Sequence, residues 1–287
     1  MAGAESKEKR KRKTASSDFK SRAVIFIILL ALSVIVVVPY VWMLSNSFKT
    51  TAETLTDPMH IIPQEPTLDG YRKVLTGSPF FKWLFNSCFV TGINTIVILF
   101  TSSIVGYIFA QFKFRGRQFL FAMLVFTMMV PAQVTMITTF ILIDNIGLYN
   151  NIWALIIPSF VNVFGIYLCK QYCEEIPSEL IESARIDGAS NFRIYRSIVL
   201  PQIRPALGAL AIFTFLEYWN DYLNPLIYLS STDNMTLPLA LSYFSTQHST
   251  NLSATMAAAA LIMIPAAIVF IIFQKQFIKG LSLTGMK

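Results

Sequence analysis

The chain has 287 residues, 54% of them hydrophobic and 14% charged, with a mean hydropathy of +0.57. A soluble domain carries about 25% charged residues, so that class is excluded and the bilayer is the expected main solvent. The net charge of +7 would suggest nucleic acid as a partner of a soluble protein, but here the basic residues flank apolar runs, so no nucleic acid is expected.

A hydrocarbon core of about 30 Å needs about 20 apolar residues as helix. Six stretches meet this, at about 23–44, 84–110, 119–143, 152–171, 205–229 and 254–277. The expected organisation is a basic tail at 1–22, a six-helix domain over 23–277 and a C-terminal tail at 278–287. The first span follows the basic run KEKRKRK (Lys7 to Lys13). That run resembles the start of a signal peptide or a nuclear signal. The apolar stretch is too long for a signal peptide, and no small-residue cleavage site follows, so a retained helix is expected.

With the N-terminus inside, all but four of the 23 Lys and Arg (Lys49, Arg72, Lys73 and Lys82) fall in cytoplasmic segments. The bias repeats at every inside loop, including Lys113, Arg115 and Arg117, and predicts that both termini are cytoplasmic. Residues 45–83 and 230–253 are then outside. The second of these holds two N-x-S/T triplets, at Asn234 and Asn251.

Along the second span, Ser102, Gly106 and Ala110 recur at four-residue spacing and predict a close helix approach, as do Ala257 to Ala260 on the sixth. Pro39, Pro131, Pro158 and Pro265 are expected to kink their helices. Cys88, Cys169 and Cys173 are too few for a disulfide framework and lack nearby imidazole, so buried thiols and no metal are expected.

Between the fourth and fifth spans, residues 174–201 are crowded with charge. Pro177 suits the first turn of a helix, with Leu180, Ile181 and Ala184 on one side, and Gly188 suits its end. A second short helix would carry Phe192, Tyr195 and Val199 as an apolar stripe, with Arg193 and Arg196 pointing away. Pro201 and Pro205 mark the turn into the next span. Two readings of this helix–Gly–helix element are open: an interfacial connector, or a docking knob for a soluble partner.

The fifth span carries Glu217, Asn220, Asp221 and Asn224 among Tyr218, Trp219 and Tyr222. Spacings of four and three put Glu217, Asp221 and Asn224 on one helical face, with Asn220 beside it. Asn94, Gln133 and Asn162 add polar groups at mid-depth. Polar residues there are a candidate solute path, and the aromatic and polar mixture suits a sugar. The competing reading is hydrogen bonding between helices.

No nucleotide motif is present: Gly280 and Gly285 are spaced like P-loop glycines, but Met286 stands where Lys is required. Energy must come from a partner or an ion gradient.

The run ESARIDGASNFRIYRSIVLPQIRP resembles the EAA motif of ABC-importer permeases. The matching residues are Glu182, Ser183, Ala184, Asp187, Gly188, Ala189, Phe192, Ile198, Leu200 and Pro201; Ser183 stands where the pattern has its first Ala. SNSFKT (Ser45 to Thr50) and EYWNDYLNPLIYL (Glu217 to Leu229) resemble the carbohydrate-uptake, maltose-type permeases, and the likeness covers nearly all the chain beyond the basic tail. The resemblance implies an all-α, type I ABC importer permease with six transmembrane helices and a cytoplasmic coupling helix seated in an ATPase cleft. Its centre would be Glu182, Asp187 and Gly188. It also implies a second homologous permease, a dimer of ATPase subunits that binds ATP and Mg, an extracellular solute-binding protein, a sugar substrate and membrane lipid. This chain itself would carry no cofactor and no enzymatic activity. A permease for peptides, polyols or another small polar solute is the alternative cargo class. An ion-coupled carrier using Glu217 and Asp221 is the alternative mechanism.

Overall fold

A computed structural model describes the backbone of residues 2–247 and 251–284 and the side chains of residues 22–244 and 251–274. The described elements are helical, and the chain forms two compact units: residues 1–71 with 250–260, and residues 72–249 with 261–287. The side chains of the basic run Lys7 to Lys13, and residues 285–287 of the C-terminal tail, lie outside the described residues.

The first unit begins with α1 (Ala2–Ser47), which runs through Pro39 without ending. Within Arg22–Ser47 its most apolar 18-residue stretch has a mean hydropathy of 3.1, and none of that stretch is buried by the described residues. A helix apolar on every side needs lipid or another chain around it. Past Ser47 the SNSFKT residues form a polar knot. Thr50 caps the short α2 (Thr51–Thr56) by accepting from the Glu53 amide. The following coil folds back: Trp42 Nε1 donates to the Pro58 carbonyl (2.7 Å), Ser45 Oγ donates to the Ile61 carbonyl, and the Gln64 amide donates to Glu53 Oε1 (2.9 Å). Lys49 is fully enclosed, its ammonium donating to the Asp57 carbonyl at 2.9 Å. Ser253, near the start of α14 (Leu252–Thr284 in full), donates to the Lys49 carbonyl at 2.8 Å. Asn251 is buried here, its Oδ1 accepting from Thr51 Oγ1 and from the Ala254 amide. The buried alanines 254, 257, 258 and 260 continue that face of the helix.

The second unit takes in most of α3 (Asp69–Gly77) and is built on α4 (Phe80–Gln111). Next come α5 (Arg117–Thr127), α6 (Ala132–Asn145) and α7 (Val163–Glu174), the last crossing α4 closely. A Cβ on Gly106 would lie 2.7 Å from Cys169 Cβ and 2.8 Å from the Lys170 amide nitrogen, and one on Gly165 would overlap Ser102 Oγ. The expected small-residue approach at Ser102 and Gly106 is therefore a crossing with α7. At the N-terminal end of α4, Trp83 and Asn86 donate to the carbonyls of Thr232, Asp233 and Met235, and Lys82 pairs with Asp233 at 2.8 Å. Nearby, Asn150 has φ +57. Its amide donates to the Tyr228 carbonyl, and its side-chain oxygen accepts from the Ser230 and Ser231 amides.

Three expected spans are not single straight helices. The stretch 119–143 divides into α5 and α6, bent by 96°. Pro131 is the N-cap of α6, with an extended ψ of 133° that a helix interior forbids. The stretch 152–171 opens as two 3₁₀ turns, Ile152–Leu155 and Ile157–Phe160, because Pro158 lacks the donor a regular helix needs and Asn162 restarts the helix as its N-cap. The stretch 205–229 breaks after α11 (Arg204–Trp219) and resumes as α12 (Leu223–Tyr228). Pro39 and Pro265, by contrast, lie inside continuous helices. Among the described residues four helices are long and apolar enough to cross a membrane, and up to six if each bent pair is one span.

Cys169 and Cys173 are buried free thiols, but Cys88 is exposed, on a face of α4 that no described residue covers. Among the described residues no cluster of metal-ligating side chains occurs.

Candidate functional site in the elbow and the broken helix

α7 ends in an ionic knot in which Lys170 Nζ lies 2.7 Å and Arg117 Nη2 3.7 Å from the Glu174 carboxylate. Pro177 lies just before α8 (Ser178–Ile186), as its N-cap at φ −55° and ψ 131°, rather than in its first turn. Ser183 Oγ bonds back to the Glu179 carbonyl, which a hydroxyl in a helix does readily. The helix stops in a Schellman motif. Gly188 has φ +77°, its amide donates to the Arg185 carbonyl (3.0 Å), and the Ala189 amide donates to the Ala184 carbonyl (2.9 Å). Only Gly takes that φ without cost, and open space surrounds it.

Ser190 then caps α9 (Asn191–Ile194) by accepting from the Arg193 amide. Residues Tyr195–Val199 wind as a π turn, and α10 (Leu200–Gln202) carries the chain to Ile203. There the direction changes by 75° into α11, with Pro205 in its first turn. Ile181, Ile194, Tyr195, Val199 and Ile203 are buried together with Tyr107, Cys173 and Ile176. Tyr195 also hydrogen-bonds Ser103 of α4, oxygen to oxygen 2.7 Å.

The apolar stripe expected in the second short helix differs in one position. Phe192 is 68% exposed, and Ile194 takes the inner place. The π turn adds a residue per turn, so simple helical spacing fails across it. Leu180 is also partly exposed, and Ile186 is almost wholly so. The outer surface of the elbow thus includes Glu182, Ser183, Arg185, Ile186, Asp187, Gly188 and Phe192, with Ala184 and Ala189 half-buried behind them.

The polar residues of the fifth stretch do not share one helical face, because the helix stops between them. Asn220 ends α11, its side-chain amide donating to the Leu216 carbonyl (2.8 Å). Asp221 lies two residues before α12 and caps its first turn: one carboxylate oxygen accepts from the Asn224 amide (3.2 Å), the other from Asn224 Nδ2 (2.9 Å). Glu217, Asn220 and Asn224 are exposed and Asp221 half-buried. Gln133 is exposed near the start of α6. Asn94 is fully enclosed; its amide donates to the Leu155 carbonyl (3.0 Å) and its oxygen accepts from Ser159 (3.0 Å). Asn162 accepts from the Gly165 amide (2.7 Å). Asn94 and Asn162 therefore hold the irregular start of the fourth stretch. The structure joins Asp221 and Asn224 by hydrogen bonds and sets Glu217 near enough to Asp221 for their charges to interact. Sequence reasoning missed the Tyr195–Ser103 bond and the Asn150 clamp, whose left-handed φ has no signal beyond the residue type.

Residues 102–283 match the family described as the inner membrane component of binding-protein-dependent transport systems. The chain belongs to that family. It is a multi-pass membrane protein and a component of a transport system, in a family of permeases rather than enzymes. The arabinooligosaccharides transport system permease of Bacillus subtilis (strain 168) is 34% identical to it, over 89% of this chain and 92% of that one. The polygalacturonan/rhamnogalacturonan transport system permease of the same strain is 32% identical, over 89% and 94%. Among solved structures, a chain of a bacterial ABC transporter that imports the acidic polysaccharide alginate superposes with a TM-score of 0.81 at 24% identity. That match covers 91% of this permease and 98% of the solved chain.

Proposed function

We propose that this permease is one membrane subunit of an ATP-driven, binding-protein-dependent sugar importer. The observation that carries the reading is the Gly188 elbow within a chain of this family. A rigid bend holds Glu182, Asp187, Ile186 and Phe192 outward while its inner face is packed on α4 and α7. The bent pair α5 and α6 counts as one span and α11 with α12 as another, giving six with the four long helices, with both termini and the elbow in the cytoplasm as the Lys and Arg bias requires.

The elbow is the coupling helix. Glu182, Ser183, Ala184, Asp187, Gly188 and Ala189 seat it in a cytoplasmic ATPase subunit, whose dimer binds ATP and Mg and does the hydrolysis. Closing of the ATPases draws the elbow inward. The Tyr195 bond and the buried Ile194 and Val199 carry that displacement to α4 and α11. Coupling is reciprocal, so a solute-binding protein docked outside must favour the ATP-closed state.

The second half of the pore comes from a homologous permease. Glu217, Asn220, Asn224 and Gln133, exposed in this chain alone, and the half-buried Asp221 then face the path between the two subunits. Asn94 and Asn162 shape the path from behind by fixing the irregular helix start. Carboxylates and amides beside Tyr218 and Tyr222 suit sugar hydroxyls and ring faces, and the similarity to permeases named for oligosaccharide transport supports that cargo.

The test is purification of the chain from its native membrane in mild detergent, with identification of what accompanies it. A P-loop ATPase, a second permease and a binding protein whose ligand is a sugar are expected. Recovery alone or as a homo-oligomer, with uptake that follows an ion gradient, overturns the proposal.

A further inference from the structure

The turn between α4 and α5 is not used by the transport cycle described above. α4 stops at Gln111, whose side-chain amide donates to the Cys173 carbonyl (2.8 Å). α5 starts at Arg117, after Gly116 at φ +80°. Arg117 turns inward. Its Nη1 lies 3.3 Å from the Phe112 carbonyl and 3.5 Å from that of Ala110, and Nη2 reaches Glu174. Lys170 is enclosed between Glu174 and the Phe121 ring, its Nζ 4.5 Å from the ring centre. This knot fixes the turn against α7.

Two cations are left over. Lys113 and Arg115 are exposed, and among the described residues neither makes an ion pair. Lys113, Phe114, Gly116, Arg117, Gln118 and Phe119 line an open depression of about 450 Å³. A Cβ on Gly116 would meet nothing within 4 Å, so the hollow is open at the bend. Directly beyond it lies a bare apolar track. No residue of α5 is buried, and Phe119, Leu120, Met123 and Phe126 are all exposed along it.

We propose that this turn is a binding site for the headgroup of an anionic phospholipid, with the acyl chains lying along α5. The charge calls for an anion, and the turn directly follows the apolar span of α4, which sets it at headgroup depth in the orientation proposed above. The adjoining track selects a lipid over a soluble phosphate, which has no use for it. Pre-ordering of the turn by Arg117, Glu174 and Lys170 reduces what a bound lipid must immobilise.

The assembled transporter, in nanodiscs of phosphatidylcholine with graded phosphatidylglycerol, tests this by native mass spectrometry of the retained lipid. Wild type is expected to retain phosphatidylglycerol preferentially. The Lys113→Gln/Arg115→Gln variant is expected to lose that preference by about tenfold or more, since each basic residue near the surface contributes substantially. Lys113→Arg/Arg115→Lys should keep it. An unchanged preference in the neutral variant, or equal loss in the charge-preserving one, overturns the proposal. So does displacement of the lipid by inorganic phosphate alone. On wild type, photoactivatable phosphatidylglycerol should label residues 113–126; labelling confined elsewhere, because another chain covers α5, also overturns it.

Discussion

The Ser103 and Tyr195 hydroxyls lie 2.7 Å apart, with both residues buried. This is a side-chain hydrogen bond joining the elbow segment to the helix at the centre of the second unit. Tyr195→Phe should keep the ring contacts with Tyr107 (5.6 Å) and Phe192 (6.3 Å) and remove only the bond. A buried bond contributes about 1 kcal/mol net, too little to lose the subunit. We expect uptake per ATP to fall severalfold in the reconstituted transporter with the ATPase still bound. Ser103→Ala should do the same, and the double variant should be no worse than either single one. Fully additive losses would show that the two residues act separately.

Gly188 allows a sharper test of the elbow, because conformation and space are separable there. A side chain meets nothing within 4 Å, but φ is +77°. Gly188→Asn should be mild, since Asn visits the left-handed region at modest cost, whereas Gly188→Pro cannot adopt that φ at all. The expected outcome is near-normal uptake for Asn and uncoupled or ATPase-free complexes for Pro, with both variants present in the membrane. Equal uptake in the two would remove the elbow from the coupling path.

Long apolar runs made the helices legible, because 20 apolar residues in lipid have few alternatives to helix. Gly188 was legible too, since a C-cap glycine carries its own backbone chemistry, whereas the Ser190 cap of the next helix emerges only from the structure. The breaks were not. A hydropathy window averages across Met128 to Pro131 and across Asn220 to Tyr222, where local caps decide. Asp221 and Asn224 have the spacing of a shared helical face, and the same three-residue spacing lets Asp221 cap a new helix. Phe192 fell on the wrong side because the π turn at Tyr195–Val199 has no sequence signature. The pairing of Asn94 with Leu155 and Ser159 is a tertiary fact, and no spacing within one helix could give it.

The α4–α7 crossing should be the most sensitive place for assembly. A Cβ at Gly106 would be 2.7 Å from Cys169 Cβ and 2.8 Å from the Lys170 backbone nitrogen, and a backbone atom cannot swing aside. Gly106→Leu should separate the helices and deplete the subunit from the membrane, an overpacking cost of about 1–3 kcal/mol or more. Gly92 lies on the same helix with nothing within 4 Å, and Gly92→Ala should leave the amount unchanged. Immunoblots of the membrane fraction check the pair, and equal amounts of both would contradict the crossing.

Asp221 combines a structural and a candidate transport role, and two substitutions separate them. Its carboxylate caps α12 through the Asn224 amide and also accepts from Asn224 Nδ2. Asp221→Ala removes both cap and charge; loss of the cap alone costs about 1 kcal/mol. Asp221→Ser can still cap but carries no charge. If the carboxylate contacts solute, both variants should raise the KM for uptake about tenfold or more, with ATPase assembly intact, because a hydrogen bond to a charged group is worth about 1.5–3 kcal/mol. If the cap is what matters, Ser should restore wild-type kinetics while Ala does not. Uptake measured against solute concentration in proteoliposomes distinguishes the two, and a wild-type KM in the Ser variant would remove Asp221 from the solute path.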